Sequence, residues 1–242
     1  MSPSTQTTPD TRAEVGVVVP CYNAGPRLRP VIEHSLNIVR RVIVVDDGST
    51  DDSASSIEGL DVPVVAFPDN RGKGHAILEG FRAALEAPEI RAVAVVDADG
   101  QHDPAEIPQL YGEFVRNDAD LVIGSRAFEL EHVPWRNRFG NRLTIALTAL
   151  LLGQRIPDTQ SGYRLHSRRL VEDVIATVPG GRYETEMEIL VKAVREGYKV
   201  LPVPIQTIYE EGNPSSHFNR LRDSYLIYRR LFTASLRRRR TP

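Results

Sequence analysis

Three aspartates and a glutamine follow a short apolar run in residues 92–103, AVAVVDADGQHD. Asp97, Asp99, Gln101 and Asp103 recur at every second position. Carboxylate and amide oxygens are the ligands that hard divalent cations prefer, and two adjacent carboxylates leave coordination positions open for a phosphate group. The spacing therefore fits a metal clamp, but also a covalent nucleophile, a calcium loop or an ordinary turn.

The alternatives to a metal clamp fit less well. An EF-hand loop needs glycine at its sixth position, whereas Gly100 is fourth counted from Asp97, so this class is excluded. Phosphatases with an aspartyl nucleophile usually carry D-x-D after the first strand of their core, whereas three strand–helix units precede it here, so they are a weaker alternative. An isolated D-x-D is compatible with a simple turn, in which the aspartates cap the following helix. Asp103, directly before Pro104, is the predicted cap.

The composition indicates a soluble or peripheral protein. The 242 residues are 41% hydrophobic and 26% charged, which is ordinary for a globular protein that can bury a core. A net charge of −2 argues against bulk nucleic-acid binding, so we expect no nucleic-acid partner. The single cysteine, Cys21, excludes an internal disulfide framework and indicates a reducing, cytoplasmic location. The longest apolar stretch, residues 143–152, is shorter than the roughly 20 residues that span a bilayer.

Alternating strand and helix patterns predict the elements that position the aspartates. The strands are continuous apolar runs, which are typical of a mostly parallel α/β sheet covered by helices on both faces. The carboxyl ends of such strands form a ligand-binding edge, and polar residues stand there. Strands are predicted at residues 15–19, 42–45, 62–67, 92–96 and 121–123, and helices at 30–39, 73–86 and 104–116, with a further helix capped by Ser49 or Thr50.

The pattern changes after residue 126. Two amphipathic segments, residues 136–152 and 221–240, combine arginines with apolar residues. Residues 200–209 contain two prolines and are predicted to form an edge strand. Other predictions are a polar loop at 158–164 and helices at 168–176 and 184–196. The resulting domain division is a disordered arm at 1–13, a catalytic domain at 14–220 and an amphipathic helix with a basic tail at 221–242.

The D-x-D stands among other short motifs in a fixed order. These are PCYN at 20–23, VVDDGSTD at 44–51, NRGKG at 70–74, DADGQ at 97–101, GSR at 124–126, DTQSGYR at 158–164 and YETEME at 183–188. In order and spacing they closely resemble family 2 glycosyltransferases of the Rossmann-like GT-A fold. The second half resembles the polyprenyl-phosphate glycosyltransferases, a group that includes dolichol-phosphate mannose synthases. The resemblance covers about residues 14–228.

The resemblance implies a nucleotide-sugar donor and a bound Mg²⁺ or Mn²⁺. The metal would be held by Asp97, Asp99 and Gln101. Tyr22 can stack on the base, and Asp47 can accept a hydrogen bond from a base N–H. The nucleotide-binding residues implied are Pro20, Tyr22, Asn23, Asp46, Asp47, Arg71, Lys73 and Asp97.

The resemblance also implies a polyprenyl (dolichyl-type) phosphate acceptor and inversion at the anomeric carbon. Arg126 and Arg138 would bind the acceptor phosphate and, with Asp99, form the catalytic group, while Arg164 would support phosphate binding in the same region. Family members often place a basic residue near the diphosphate in the loop after the last edge strand, and His217 is the nearest candidate here. A phosphate oxygen is already anionic, so no carboxylate is expected to act as an indispensable general base.

Several alternatives stay open. The donor could be GDP-mannose or a UDP-hexose, and the acceptor could be a soluble compound or a carbohydrate instead of a lipid. A protein that binds nucleotide sugars without turnover is the non-enzyme alternative. For a lipid acceptor, residues 136–152 and 221–240 could lie on the cytoplasmic face of a membrane with their arginines against anionic headgroups, although the first segment fits a core-facing helix equally well. A membrane-protein partner is the other possible anchor.

Overall fold

The computed structural model describes residues 10–126 and 156–206, together with Ala149 and Gly153. The strands are β1 (Val15–Cys21), β2 (Arg41–Asp46), β3 (Val64–Ala66), β4 (Ala92–Val95), β5 (Leu121–Arg126), β6 (Arg164–Ser167) and β7 (Val200–Ile205). The α-helices are α1 (Thr11–Glu14), α2 (Leu28–Ile38), α3 (Ser53–Ser56), α4 (Lys73–Leu85), α5 (Ile107–Arg116), α6 (Arg168–Thr177) and α7 (Glu184–Arg195). Single 3₁₀ turns are formed by Gly25–Arg27 and Pro104–Glu106.

The seven strands form one sheet in the order β3-β2-β1-β4-β6-β5-β7. Neighbouring strands are parallel except around β6, which is antiparallel to both β4 and β5. The predicted α/β fold with a mostly parallel sheet is confirmed. β7 lies at the edge of the sheet and pairs with β5. Its two prolines predict this position, because proline has no backbone N–H to donate to a strand on a second side.

Strand β6 was not predicted. Its sequence, Arg-Leu-His-Ser, lacks the apolar run of a buried strand, yet all four residues are buried between β4 and β5. The prediction of a polar loop at 158–164 holds up to Gly162 and Tyr163, and Arg164 already belongs to the strand.

The hydrophobic core lies on both faces of the sheet. Alternate residues of β1 point to opposite faces, so Val18 packs in one apolar cluster while Val17 and Val19 pack in the other. Helices α4, α6 and α7 contribute to the first cluster, and α2 and α5 contribute to the second. Because every residue of β1 is buried, this strand fixes the position of the chain that leaves it at Cys21.

The predicted helix caps have mixed outcomes. The Asp103 carboxylate accepts from the Ala105 N–H at 2.9 Å, which confirms the predicted cap of the turn that leads into α5. The cap predicted at Ser49 or Thr50 is wrong, because α3 begins only at Ser53, and the Ser49 hydroxyl instead accepts from the Asn23 N–H at 2.9 Å. These two bonds show how short side chains hold the loops at the strand ends.

The ends of the chain were predicted as an N-terminal arm and a C-terminal amphipathic helix. Helix α1 occupies residues assigned to the arm, so that the arm cannot extend to residue 13. Residues 1–9 and 221–240, and residues 136–152 apart from Ala149, lie outside the described residues. Within the described ranges, no helix is long and apolar enough to cross a bilayer.

Candidate active site

One cleft lies beyond the carboxyl ends of β1, β2, β4 and β5, the edge at which α/β sheets bind ligands. It brings together side chains from both halves of the chain. The predicted site residues that line it are Pro20, Tyr22, Asn23, Asp47, Lys73, Asp97, Asp99, Gln101, Arg126 and Arg164. The convergence of the strand-end motifs into one site, expected from the topology, is therefore present in the structure.

Two of the predicted nucleotide-binding residues are described but do not line the cleft. The Asp46 carboxylate accepts from the Ser49 N–H at 2.9 Å, and the Arg71 guanidinium lies over the Phe67 ring at 4.9 Å. Both side chains support loops at the rim rather than facing the cleft. Arg138 and His217 lie outside the described residues.

Asp97 forms a largely buried ion pair with Lys73. The Lys73 Nζ lies 2.7 Å from Asp97 Oδ1 and 3.2 Å from Glu186 Oε2, and the lysine side chain is 17% exposed. Burial by itself raises the pKa of Asp97, but the Lys73 ammonium and the other nearby basic groups together outweigh this effect and hold that pKa below its usual value. Burial likewise lowers the pKa of Lys73, yet Asp97 and Glu186 together raise it above its usual value. Both groups are therefore charged at neutral pH.

Asp99 lies beside Asp97 in a different electrostatic environment. Burial, followed by the negative charge of Asp97, raises the pKa of Asp99 above its usual value, although its carboxylate accepts from the Gln101 N–H at 3.0 Å. Two close carboxylates repel each other, and a divalent cation between them would relieve that repulsion. This donor set of oxygen atoms fits Mg²⁺ or Mn²⁺.

The acidic pair does not by itself complete a metal site. Among the described residues, no group of three or more histidine, cysteine, aspartate or glutamate side chains is placed to hold a metal ion. The carboxylates of Asp97 and Asp99, with the Gln101 side chain also lining the cleft, thus provide an incomplete coordination sphere. Such a coordination sphere suits a metal whose remaining ligands are oxygen atoms of a bound phosphate group.

His102 packs behind the acidic pair. Its Nε2 lies 3.8 Å from Asp97 Oδ2, and its ring stacks on Tyr163 with centroids 5.0 Å apart. Burial lowers the pKa of His102 to about 4, so the imidazole is neutral at physiological pH. The Tyr163 hydroxyl in turn donates to the Asp103 carbonyl at 2.8 Å. This stack ties the D-x-D loop to the loop before β6.

Asp47 organises a neighbouring loop. Its side chain is 2% exposed and accepts from the N–H groups of Arg71 at 2.7 Å and Gly72 at 2.8 Å. The Asn70 amide donates to the same carboxylate at 3.0 Å. Burial raises the pKa of Asp47, against these hydrogen bonds, which lower it. These bonds hold residues 70–72 in place, and the acceptance of a nucleotide base N–H by Asp47 stays a prediction.

The loop that Asp47 holds is also in close contact with a distant segment. Gly72 has a φ of +107°, and a Cβ there would lie 2.7 Å from the Gly181 carbonyl oxygen. Glycine is therefore required at the start of α4, where the backbone of residue 181 crosses it. The crossing places Arg182 and Tyr183 in the cleft lining.

Arg126 is oriented by a buried carboxylate. Its Nε lies 2.7 Å from Asp158 Oδ2 and its Nη2 lies 3.1 Å from Asp158 Oδ1, while the Asp158 side chain is fully buried. Such a two-point contact fixes the plane of a guanidinium group. Arg126 therefore presents a fixed positive charge at the end of β5, next to the acidic pair in the same cleft.

Arg164 is a buried arginine whose guanidinium binds backbone carbonyl oxygens around the cleft. It is 2% exposed, and its guanidinium donates to the carbonyl oxygens of Ser161 and Thr159, both at 2.8 Å, and to that of Glu186. These bonds tie the loop before β6 to α7. Arg164 thus supports the wall of the cleft, and its contribution to phosphate binding stays a prediction.

Several residues that line the cleft were not assigned a role from the sequence, among them Arg27, Arg182, Tyr183 and Glu186. Arg27 follows β1, while Arg182, Tyr183 and Glu186 lie at the start of α7. The motif at 183–188 was a signal for the last two, but its spacing did not show that Glu186 faces Lys73, which is 113 residues away. Nothing in the local sequence distinguishes Arg27 or Arg182 from an exposed arginine.

The sheet order and the acidic strand-end cleft define a glycosyltransferase of the GT-A fold. The family model described as "Glycosyl transferase family 2" matches residues 16–175. The chain belongs to this family, and the protein is a glycosyltransferase.

The chain is similar to relatives that act on polyprenyl phosphates, according to their names. It is 28% identical to the UDP-N-acetylglucosamine–dolichyl-phosphate N-acetylglucosaminyltransferase of Methanococcus voltae, over 89% of this chain and 94% of the relative. It is 30% identical to the polyprenol monophosphomannose synthase of Mycolicibacterium smegmatis, over 78% of this chain and 75% of the relative. Glucosyl-3-phosphoglycerate synthase of Mycobacterium tuberculosis, solved with Mn²⁺, UDP and phosphoglyceric acid, shares the fold with a TM-score of 0.69 and 21% identity, over 93% of this chain and 79% of that one.

Proposed function

We propose that this protein transfers a hexose from a nucleotide diphosphate sugar to a polyprenyl phosphate, in a metal-dependent reaction that inverts the anomeric carbon. The observation that carries the proposal is the placement of Asp97, Asp99 and Arg126 in one cleft. The first two can hold a metal–diphosphate, and the third is a fixed cation for a second phosphate. The two relatives named for dolichyl-phosphate and polyprenol substrates support the choice of acceptor.

The donor side of the cleft would bind the nucleotide and its diphosphate. Tyr22 and Asn23 line the end where β1 leaves the sheet, and Lys73 at the start of α4 is a cation within reach of Asp97. Asp97, Asp99 and Gln101 would hold Mg²⁺ or Mn²⁺. The structure of glucosyl-3-phosphoglycerate synthase, which contains Mn²⁺ and UDP, supports a divalent metal in this position. A bound divalent metal supplies stabilisation of the negative charge that develops on the leaving diphosphate.

The acceptor side requires positioning more than proton transfer. An acceptor phosphate is already anionic at neutral pH, so no side chain has to remove a proton from the nucleophile. The difficulty is that two anionic groups must approach each other. Arg126, whose plane Asp158 fixes, can neutralise the acceptor and direct its oxygen to the anomeric carbon on the face opposite the diphosphate. Arg138, outside the described residues, is the proposed second phosphate ligand.

A polyprenyl acceptor would require contact with a membrane surface. We place the protein peripherally on the cytoplasmic face, with residues 136–152 and 221–240 as the proposed contact segments or with a membrane-protein partner as the anchor. The support is the sequence pattern of arginines beside apolar residues in these segments.

A screen of donors against acceptors tests the proposed function. Purified protein is incubated with UDP-glucose, UDP-N-acetylglucosamine or GDP-mannose, and with either a short-chain polyprenyl phosphate or 3-phosphoglycerate, in Mn²⁺, Mg²⁺ or EDTA. The expected result is a glycosyl phospholipid with one donor, formed with metal and lost in EDTA. Transfer to 3-phosphoglycerate without transfer to the lipid would overturn the lipid acceptor, and metal-independent transfer would overturn the assignment of Asp97 and Asp99.

A further inference from the structure

Lys73 is enclosed by carboxylates inside the candidate metal site. Its Nζ lies 2.7 Å from Asp97 Oδ1, and 3.3 Å and 3.2 Å from the two carboxylate oxygens of Glu186. All three side chains are largely buried, with exposures of 17%, 25% and 14% for Lys73, Asp97 and Glu186. Desolvation of a largely buried ammonium group is costly unless carboxylates offset it, so Lys73 has to stay next to at least one anionic partner.

The surrounding backbone is shaped around this contact. A Cβ on Gly162 would lie 2.7 Å from Asp97 Oδ2 and 2.9 Å from the Lys73 Nζ. The loop before β6 can therefore close over the ion pair only with glycine at residue 162. The Lys73 ammonium is thus enclosed by the Asp97 carboxylate, by Glu186 and by this loop.

The same carboxylate cannot serve the lysine and a divalent metal equally well. Mg²⁺ binds carboxylate oxygens at about 2.0–2.1 Å, so a metal on Asp97 would lie close to the Lys73 ammonium and repel it. Asp97, Asp99 and Glu186 together carry more negative charge than one lysine balances. Glu186 therefore offers Lys73 a second partner when a metal takes Asp97, and a nucleoside diphosphate would offer it a third.

We infer that Lys73 is an exchangeable counter-cation of the metal site: it competes with the metal for Asp97 and moves to the diphosphate, guided by Glu186, when metal and nucleotide bind together. This inference rests on the proposed function, since it assumes a metal–nucleotide complex in the cleft. It assigns Lys73 and Glu186 as positioning residues that couple the two binding events. Metal binding alone is disfavoured by the lysine, and nucleotide binding removes that competition.

Direct metal-binding measurements test this coupling. Mn²⁺ binding is measured by electron paramagnetic resonance and calorimetry, without nucleotide and with saturating UDP or GDP. Lys73→Met should bind Mn²⁺ about tenfold more tightly than wild type without nucleotide, and the tightening of Mn²⁺ binding by nucleotide should be smaller than in wild type by about the same factor. Glu186→Gln should act in the opposite direction, because the lysine then has Asp97 as its remaining carboxylate partner, and should weaken nucleotide-free Mn²⁺ binding.

A matched lysine provides the control. Lys192 Nζ lies 2.7 Å from Asp173 Oδ2 and 2.6 Å from Glu196 Oε2, with its side chain 10% exposed, and it does not line the cleft. Lys192→Met removes a similar buried ammonium and should leave Mn²⁺ binding unchanged. Thermal unfolding of each variant verifies that it is folded, and the opposite sign expected for Glu186→Gln provides a second test if Lys73→Met does not fold.

The outcomes separate the inference from the proposed function. If wild-type protein binds Mn²⁺ together with a nucleotide, but Lys73→Met and Glu186→Gln do not shift nucleotide-free binding in opposite directions, the inference is overturned and the proposed function stands. If wild-type protein does not bind Mn²⁺ in the presence of UDP and does not bind it in the presence of GDP, the inference and the proposed function are both overturned. Opposite shifts in the two variants, with Lys192→Met unchanged, support the exchange.

Discussion

Asp158 holds Arg126 through two parallel contacts, Nε to Oδ2 at 2.7 Å and Nη2 to Oδ1 at 3.1 Å. Asp158 is fully buried, whereas the Arg126 side chain is 21% exposed and reaches the cleft. The carboxylate also accepts from the Gln160 N–H at 3.2 Å, so it links the end of β5 to the loop before β6. Asp158 therefore acts on the site through the arginine that it orients.

Substitution of Asp158 by Asn should impair acceptor use more than donor binding. An amide cannot accept two charge-assisted bonds from Arg126, so the guanidinium loses its fixed plane, and a small misplacement of a positioning group costs about 10- to 100-fold in rate. We expect kcat/KM for the acceptor to fall by that factor while Kd for the nucleotide stays within about twofold. Steady-state kinetics and calorimetry measure the two quantities.

The control for this change is Asp173→Asn. Asp173 pairs with Lys192 at 2.7 Å and accepts from the Tyr198 hydroxyl at 3.0 Å, away from the cleft. It should lower stability without changing acceptor kinetics. An equal loss in both variants would mean that Asp158 acts through general stability and not through Arg126.

Asp99→Asn should abolish most of the metal-dependent rate. Among the residues that the structure describes, none gives Asp99 an ammonium contact like that of Lys73 with Asp97, and burial together with the charge of Asp97 raises the pKa of Asp99, so a bound cation should stabilise this carboxylate most. We expect a loss of about 100-fold in kcat and a rise in the Mn²⁺ concentration needed for half-maximal rate. The measurement is the initial rate across a Mn²⁺ titration.

Asp103→Asn is the matched control for Asp99→Asn, because it makes the same chemical change four residues away. Asp103 caps the turn before α5, and asparagine caps helices about as well as aspartate. Rate and metal dependence should therefore match those of wild type. Full activity of Asp99→Asn at saturating Mn²⁺ would remove Asp99 from the metal site.

The predictable part of this fold is the part encoded locally. Strands β1, β2 and β4 each contain an uninterrupted apolar run, and the polar residue after each run marks the end of the strand. Topology then places Asp97 and Asp99 in the cleft, because parallel strands expose their carboxyl ends at one edge. The cap at Asp103 was predictable for the same reason, since its partner is two residues away.

The unpredicted part depends on partners distant in sequence. Arg164 and His166 give β6 a polar sequence, and their burial is compensated by carbonyl oxygens of other segments, such as Glu186 and Val93. Asp47 could accept from a base or from a backbone amide, and the sequence does not distinguish these donors. Propensity and periodicity describe neighbours along the chain, so they do not predict contacts between residues that are distant in sequence.

Gly162→Ala should disrupt the site without disrupting the fold. The new Cβ would lie 2.7 Å from Asp97 Oδ2 and 2.9 Å from Lys73 Nζ, so either the loop or the ion pair must move. We expect a loss of at least about tenfold in kcat/KM for the donor, with a far-ultraviolet circular dichroism spectrum like that of wild type.

Gly112→Ala is the control for the added methyl group. Gly112 lies inside α5, and a Cβ there meets no atom within 4 Å. Alanine in a helix interior should raise the free energy of unfolding by about 0.5–1 kcal/mol and leave activity unchanged. Wild-type activity in Gly162→Ala would show that the loop before β6 has room to adjust.

His166 links the stability of the sheet to pH. It is 2% exposed in β6, its Nδ1 lies 3.3 Å from the Val93 carbonyl oxygen, and its ring meets the edge of Phe81 at 5.0 Å between centroids. Burial, with the charge of Arg164, lowers the pKa of His166 from 6.5 to about 3. The folded protein therefore keeps this imidazole neutral at pH values where the unfolded chain protonates it.

The sign of the pH effect follows from this difference in proton binding. Below pH 6.5 the unfolded state binds more protons at His166, so the free energy of unfolding should fall as the pH decreases from about 6.5 towards about 3. The slope from one such group reaches at most about 1.4 kcal/mol per pH unit.

His166→Phe should reduce the loss of stability between pH 6.5 and 4.5, measured by urea unfolding. His34→Asn, which changes an exposed histidine, serves as the control. His102, whose pKa burial lowers to about 4, should maintain part of the slope. An identical slope in wild type and His166→Phe would show that His166 does not control the acid sensitivity of this fold.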